Sequence, residues 1–137
     1  MLILNNNVKK CLTSPDKTNI LSTSNRHGDN NIAMFGSIVP AGDSTLMLML
    51  GDNRTYANLK ENPDAALLVT LPGKTGMQTE GCRIYMKVKT VEDGGDTFDR
   101  LKAGIKEKVG DAAEMLKHLI HFEITDVRPI VDMGQGV

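Results

Sequence analysis

The stretch Gly51-Asp52-Asn53-Arg54-Thr55-Tyr56-Ala57-Asn58-Leu59-Lys60-Glu61-Asn62-Pro63 lies between two largely apolar runs, Leu46 to Leu50 and Ala65 to Leu71. Asn53 suits an N-cap, because its side-chain oxygen can accept from the free N–H groups of a first helical turn. The helix it opens must be short, since Pro63 cannot continue it. Arg54 and Thr55 then place a cation and a hydroxyl at a helix start, where unpaired N–H groups and the helix dipole already favour an anion. Taken alone, the stretch fits either a phosphate site or an ordinary capped connector helix with a solvated arginine.

Working outward toward the N-terminus, residues 44–50 read as a strand whose unbroken apolar centre predicts burial on both faces. Pro40-Ala41-Gly42-Asp43 is a turn signal, and residues 31–39 read as a strand pairing back on Thr18–Ser24. Between these two lies Arg26-His27-Gly28-Asp29, where Gly28 can take positive φ. Residues 4–12 form a short polar helix with Val8, Cys11 and Leu12 on one side, an expected lid or end cap.

Toward the C-terminus, residues 64–71 make a further strand, followed by the breaker-rich loop Pro72-Gly73-Lys74-Thr75-Gly76. Residues 83–91 alternate, with Ile84, Met86 and Val88 facing one way and Tyr85, Lys87, Lys89 and Val91 the other. Asp93-Gly94-Gly95-Asp96 ends that strand, and Asp96 is the expected cap of a helix carrying Phe98, Leu101, Ile105 and Val109, weakened by Gly104. A helical piece over 111–118 and a last strand over 119–127 follow, then a tail from about residue 131 with little to hold it. Tight turns between the early strands leave no room for parallel crossovers. The expected fold is therefore mainly β with α: an antiparallel sheet or barrel of six or so strands, a connector helix and a helical insert.

A chain of 137 residues is about one domain, expected to span 1–137. Sixteen basic and seventeen acidic residues leave a formal charge of −1, with no block of like charge to track a nucleic acid or an anionic membrane. The longest apolar runs fall far short of the ~20 residues of a membrane span. Met1 to Leu4 is followed at once by Asn5-Asn6-Asn7 and Lys9-Lys10, so no secretory signal is read. Cys11 and Cys82 lack metal-site spacing and suggest no disulfide framework, and a reducing, cytoplasmic setting is expected.

Other chemistry is poorly supported. His118 and His121 fall at the start of a strand, where a separation of three puts them on opposite faces, so no metal site is expected. His27 reads as a solvated turn residue, and Cys82 as a small packed side chain rather than a redox thiol. The glycines at 73 and 76 flank Lys74 and Thr75, but neither the spacing nor a following helix makes a phosphate loop. Met47, Met49 and Met86 are most simply core residues.

The run Asn19-Ile20-Leu21-Ser22-Thr23, the Gly28 turn, Asn31-Ile32-Ala33-Met34-Phe35-Gly36-Ser37, Asn53-Arg54-Thr55 and Asn58 to Pro63 resembles the pyridoxamine 5′-phosphate oxidase-like, FMN-binding split-barrel superfamily. The likeness is to its small FMN-binding proteins rather than to the oxidase. Gly81-Cys82-Arg83-Ile84, the Gly94-Gly95 turn and the helical insert resemble the second half of that fold, so the resemblance runs from about residue 8 to 130. It implies an antiparallel split β-barrel with FMN as cofactor. The flavin phosphate would fall on Arg54 and Thr55, supported by Asn53 and Asn58, with Ala33, Met34, Phe35, Gly36, Ser37 and Met49 by the ring. Gln78, Thr79, Gly81 and Cys82 would close over the ring from a partner subunit, in a homodimer. No catalytic side chain and no metal ligand is implied, because the flavin carries the chemistry. The implied activity is flavin-mediated transfer of hydride or electrons from a reduced nicotinamide to an acceptor. A non-enzymatic FMN electron carrier, or a split-barrel binder of haem or a deazaflavin, are the alternatives. The chain departs from the family pattern in having Arg54-Thr55 where many relatives have two basic residues, and Met133 to Val137 offer no counterpart to the oxidase's substrate-binding residues.

Overall fold

The computed structural model describes residues 4–134. Its strands are β1 (Thr18–Ser24), β2 (Asn30–Phe35), β3 (Ile38–Pro40), β4 (Thr45–Leu50), β5 (Asp64–Thr70), β6 (Gly81–Glu92) and β7 (His118–Pro129). All pair antiparallel in one sheet of order β2-β1-β5-β6-β7-β4-β3. β2 and β3 are thus its two opposite edges, yet only Gly36 and Ser37 separate them in the chain. Three Cα–Cα steps reach at most about 11 Å. The sheet must therefore curl until its edges meet, which makes it a split barrel.

Strand alternation fills the barrel. Leu21, Leu67 and Ile84 lie opposite one another across β1, β5 and β6, and Leu46 and Leu48 face Phe122 and Ile120 across β4 and β7. All are essentially inaccessible to solvent. Each contributes roughly 1.5–3 kcal/mol of burial, which sets the register, because a slip by one residue would turn the whole apolar set outward. Helix α1 (Asn6–Thr13) packs against β3, β5 and β6 and inserts Val8, Cys11 and Leu12 into the same core, as an end cap should. Asn5 caps it, accepting from the Val8 N–H at 2.9 Å. At the other end of β1, helix α2 (Arg54–Glu61) rests on β1 and β2.

The outer face of β4 is also covered. Met47 and Met49 point away from the barrel toward helix α3 (Asp96–Val109), where Met49 joins Phe98, Leu119, Leu101, Ile105 and Leu116. The two-sided burial expected of this strand follows from that insert.

Several expected boundaries change. The strand read over 31–39 is two strands, because β2 pairs with β1 and β3 with β4. Asp96 does not cap α3; Gly95 does, at φ +105°, and Asp96 is the first helical residue. Val109, placed on the apolar face of that helix, is exposed at its end. The helical piece over 111–118 is a 3-10 segment, Gly110–Met115, and β7 begins at His118 rather than 119. Asp132, assigned to a loose tail, accepts from both Arg83 and Arg128 and from the Gly134 N–H. These donors hold its carboxyl well below the usual carboxylate range. Residues 135–137 of that tail lie outside the described residues.

Candidate functional site

Helix α2 begins as its composition predicts. Asn53 is extended and its Oδ1 accepts from the Tyr56 N–H at 2.8 Å. Arg54 is exposed and has no hydrogen-bond or ion-pair partner among the described residues. Thr55 and Asn58 are buried against the barrel instead. Asn31 Nδ2 reaches Thr55 Oγ1 at 3.4 Å, and Asn58 Nδ2 donates to Thr23 Oγ1 at 3.1 Å. These bonds fix the helix on β1 and β2, so Asn58 is committed to the scaffold, while Asn53 and Arg54 remain at the surface.

Beside that helix start is a cluster that the sequence did not signal. His118, at the start of β7, has Nε2 2.6 Å from an Asp52 oxygen and Nδ1 2.6 Å from an Asp93 oxygen. Its ring stacks on Tyr56 with centroids 3.6 Å apart and planes within 7°. A neutral imidazole donates from only one nitrogen, so two facing carboxylates call for the imidazolium. Burial alone pulls the pKa of His118 down, but the bonds to Asp52 and Asp93 and their charges outweigh it and raise the group above its ordinary value. Asp52 is correspondingly lowered, first by its bond to His118. Burial, then the charges of Asp93 and Asp52, raise the Tyr56 phenol. His121 faces the opposite side of β7, pairing with Met47, and bonds to Glu92 at 2.6 Å. The described residues hold no group of side chains that could ligate a metal.

A cavity of about 510 Å³ opens between α3, the 3-10 segment and the β3–β4 edge. Gly36, Ser37, Met47, Met49, Leu101 and Ile105 are among its lining residues, with Arg100 and Lys108 also on its wall. Gly36 has open space where a Cβ would stand. Gly51, before the α2 start, packs closely on the 3-10 segment: its missing Cβ would stand 2.5 Å from the Met115 carbonyl oxygen. The cavity gathers Gly36, Ser37 and Met49 in one place, although Met49 itself is only 2% exposed. Strand β2 divides the remaining ring candidates. Ala33 and Phe35 share the face of buried Leu21 and Asn19, whereas Met34, 71% exposed, faces outward beside Ile32, 70% exposed.

Gln78, Thr79, Gly81 and Cys82 lie elsewhere, at the end of the barrel that α1 covers. Thr79 and Gly81 line a separate cavity of about 370 Å³ with Lys10 and Cys11. Gly81, at φ +152°, has no room for a Cβ, which would stand 2.0 Å from the Val69 carbonyl oxygen. Cys82 points into the core, where burial and nearby Cys11 push its thiol up to about 12. Its side chain is a packing group. Both cysteines are free.

The sequence matches no protein-family model and no curated protein. Solved structures do match. An FMN-binding protein from Syntrophomonas wolfei subsp. wolfei superposes with a TM-score of 0.78 at 26% identity, over 91% of this chain and 84% of that one. A candidate pyridoxamine 5′-phosphate oxidase from Lactobacillus delbrueckii gives a TM-score of 0.68 at 16% identity, over 91% and 93%. The haem storage protein HutZ from Vibrio cholerae gives 0.66 at 15% identity, over 93% and 95%.

Proposed function

The chain has the split-barrel fold of the pyridoxamine 5′-phosphate oxidase-like superfamily, and from that premise we propose that it is a homodimeric FMN-binding oxidoreductase. The observation that carries the reading is the unpartnered Arg54 on a capped helix start, and the reading takes the largely apolar cavity, of a size suited to a flavin ring, as the place of that ring. Likeness to an FMN-binding protein at 26% identity supports it.

In this reading Arg54 and the first N–H groups of α2 hold the phosphate, and Asn53 sets the helix start that presents them. Thr55 contributes its place in that turn, since its side chain is buried against Asn31. Gly36 leaves space for a ring edge, and Ser37 and the Met49 wall take its apolar face without directional demands. Transfer of hydride from a reduced nicotinamide to an acceptor is the chemistry that the flavin supplies when bound. No protein acid or base enters the proposal.

Ile32 and Met34 are large apolar side chains exposed on an edge strand, and a second copy of the chain is the proposed cover. That copy would bring its own loop of Gln78, Thr79 and Gly81 over the ring, since within one chain these residues sit at the α1 end. The free, buried cysteines fit the proposed cytoplasmic setting. Among the described residues no helix is long and apolar enough to cross a membrane.

Haem is the weaker ligand, because the only side chains of an axial-ligand type lining the 510 Å³ cavity are Met47 and Met49, and no histidine, cysteine or tyrosine is there to pair with them. A deazaflavin or a purely electron-carrying FMN protein would use the same donors. The visible spectrum of the purified protein tests the reading: it should be yellow, or become so on adding micromolar FMN, and a colourless chain that fails to bind FMN refutes it. Anaerobic mixing with reduced nicotinamide then separates enzyme from carrier, because bleaching marks the enzyme.

A further inference from the structure

We infer that His118 is a positioning residue for the anion end of the site: its imidazolium neutralises Asp52, which precedes the α2 cap, so that the helix start can accept a phosphate. The inference rests on the FMN reading above. Without a counterion, Asp52 would put a carboxylate one residue before Asn53 and two before Arg54, where it would repel a phosphate and compete for the arginine. His118 removes that conflict by taking Asp52 on one ring nitrogen and Asp93 on the other.

The geometry is that of a built clamp rather than a chance surface pair. The imidazole is 12% exposed although both carboxylates are about two-thirds exposed, and the Tyr56 ring is stacked on it. The clamp joins the loop before α2, the turn before α3 and the first residue of β7. The titratable groups around it are Asp52 and Asp93 on the ring nitrogens and the Tyr56 phenol on α2. Two cations complete them, Lys60 at 4.9 Å from the Tyr56 ring centroid and Lys117 next in the chain. With His118 charged, the three-group set of His118, Asp52 and Asp93 carries a formal charge of −1. Loss of the proton makes it −2 and turns a ring lone pair toward one of the carboxylates.

The consequence is a phosphate site whose affinity depends on a proton held outside it. FMN binding is measured by quenching of flavin fluorescence from pH 7 to 9, where the phosphate is already dianionic, its second pKa being about 6. The wild-type dissociation constant should rise about three- to tenfold as His118 deprotonates, the range of a partly screened charge near a helix end. Asp52→Asn should flatten that profile. His118→Gln should bind weakly at every pH, and the double variant Asp52→Asn/His118→Gln should recover the affinity, which a merely structural role for His118 would not allow. Nitrogen-15 NMR of the histidines without FMN should show His118 still protonated above its ordinary range, near about 6.5.

An Asp52→Asn profile as steep as wild type, a double variant no better than His118→Gln, or a His118 that titrates below that range overturns the inference. Tight FMN binding with no pH dependence sinks it alone, whereas failure of FMN to bind at any pH removes the FMN reading and this inference together.

Discussion

At the scale of single residues, Arg54 has little to do in the folded protein and a central part in the proposed site. It is exposed and unpartnered among the described residues, so its removal should leave the fold intact. Arg54→Ala should weaken FMN binding by about 1.5–3 kcal/mol, the scale of a hydrogen bond to a charged group. Flavin fluorescence titration checks this, and unchanged affinity would move the phosphate elsewhere. Asn53 and Arg54 were legible because capping and helix-start chemistry are local. His118 was not, since the partners that give it a role lie 25 and 66 residues away in the chain. The scaffold bond of Asn58 was not legible for the same kind of reason: its amide nitrogen donates to Thr23, 35 residues away.

At the scale of elements, α2 is short and depends on its ends. Asn53→Ala removes the bond from the Tyr56 N–H and should destabilise the protein by about 1 kcal/mol in urea unfolding, with Asn53→Asp close to wild type. A larger loss of FMN affinity than of stability would show that the cap also orders the phosphate donors. The strands were legible from alternation, as in β6, where Cys82, Ile84 and Met86 are buried in turn. The division between β2 and β3 was not, because residues on both sides of Gly36 have strand-like composition and nothing local says that they pair with different strands. The cap of α3 went to Gly95 rather than Asp96 because the turn needs φ +105°, which glycine adopts without strain.

For the whole molecule, the clamp predicts a pH dependence of stability. His118 has a folded pKa raised above its unfolded value, so its contribution is fully present below the unfolded value and is lost as pH rises through the folded one. Asp52 and Asp132 have depressed folded values, so theirs is present above the usual carboxylate range and is lost as pH falls through the folded values. Thermal unfolding should therefore show a midpoint that declines on both sides of an intermediate pH, and His118→Gln should remove the alkaline decline. Assembly is testable at the same scale. If the proposed dimer forms through Ile32 and Met34, replacing both with lysine should give a folded monomer in sedimentation and lower FMN affinity, because the proposed cover by a second copy's Gln78 to Gly81 loop would be lost. A dimer that survives the double substitution would place the interface on another face.

The sequence by itself determined the mainly β composition, the inward-facing apolar sets and the capped helix with its arginine, because propensity, alternation and capping are settled within a few residues. Only the tertiary structure decided that two strands on either side of Gly36-Ser37 form opposite edges of one curled sheet. The Gly51 to Pro63 stretch is the capped helix start read from it, but its surroundings came from chain closure: the 3-10 segment behind Gly51 and a histidine held between two distant aspartates. Those contacts join residues far apart in sequence, and their energies depend on the burial and charge that folding creates.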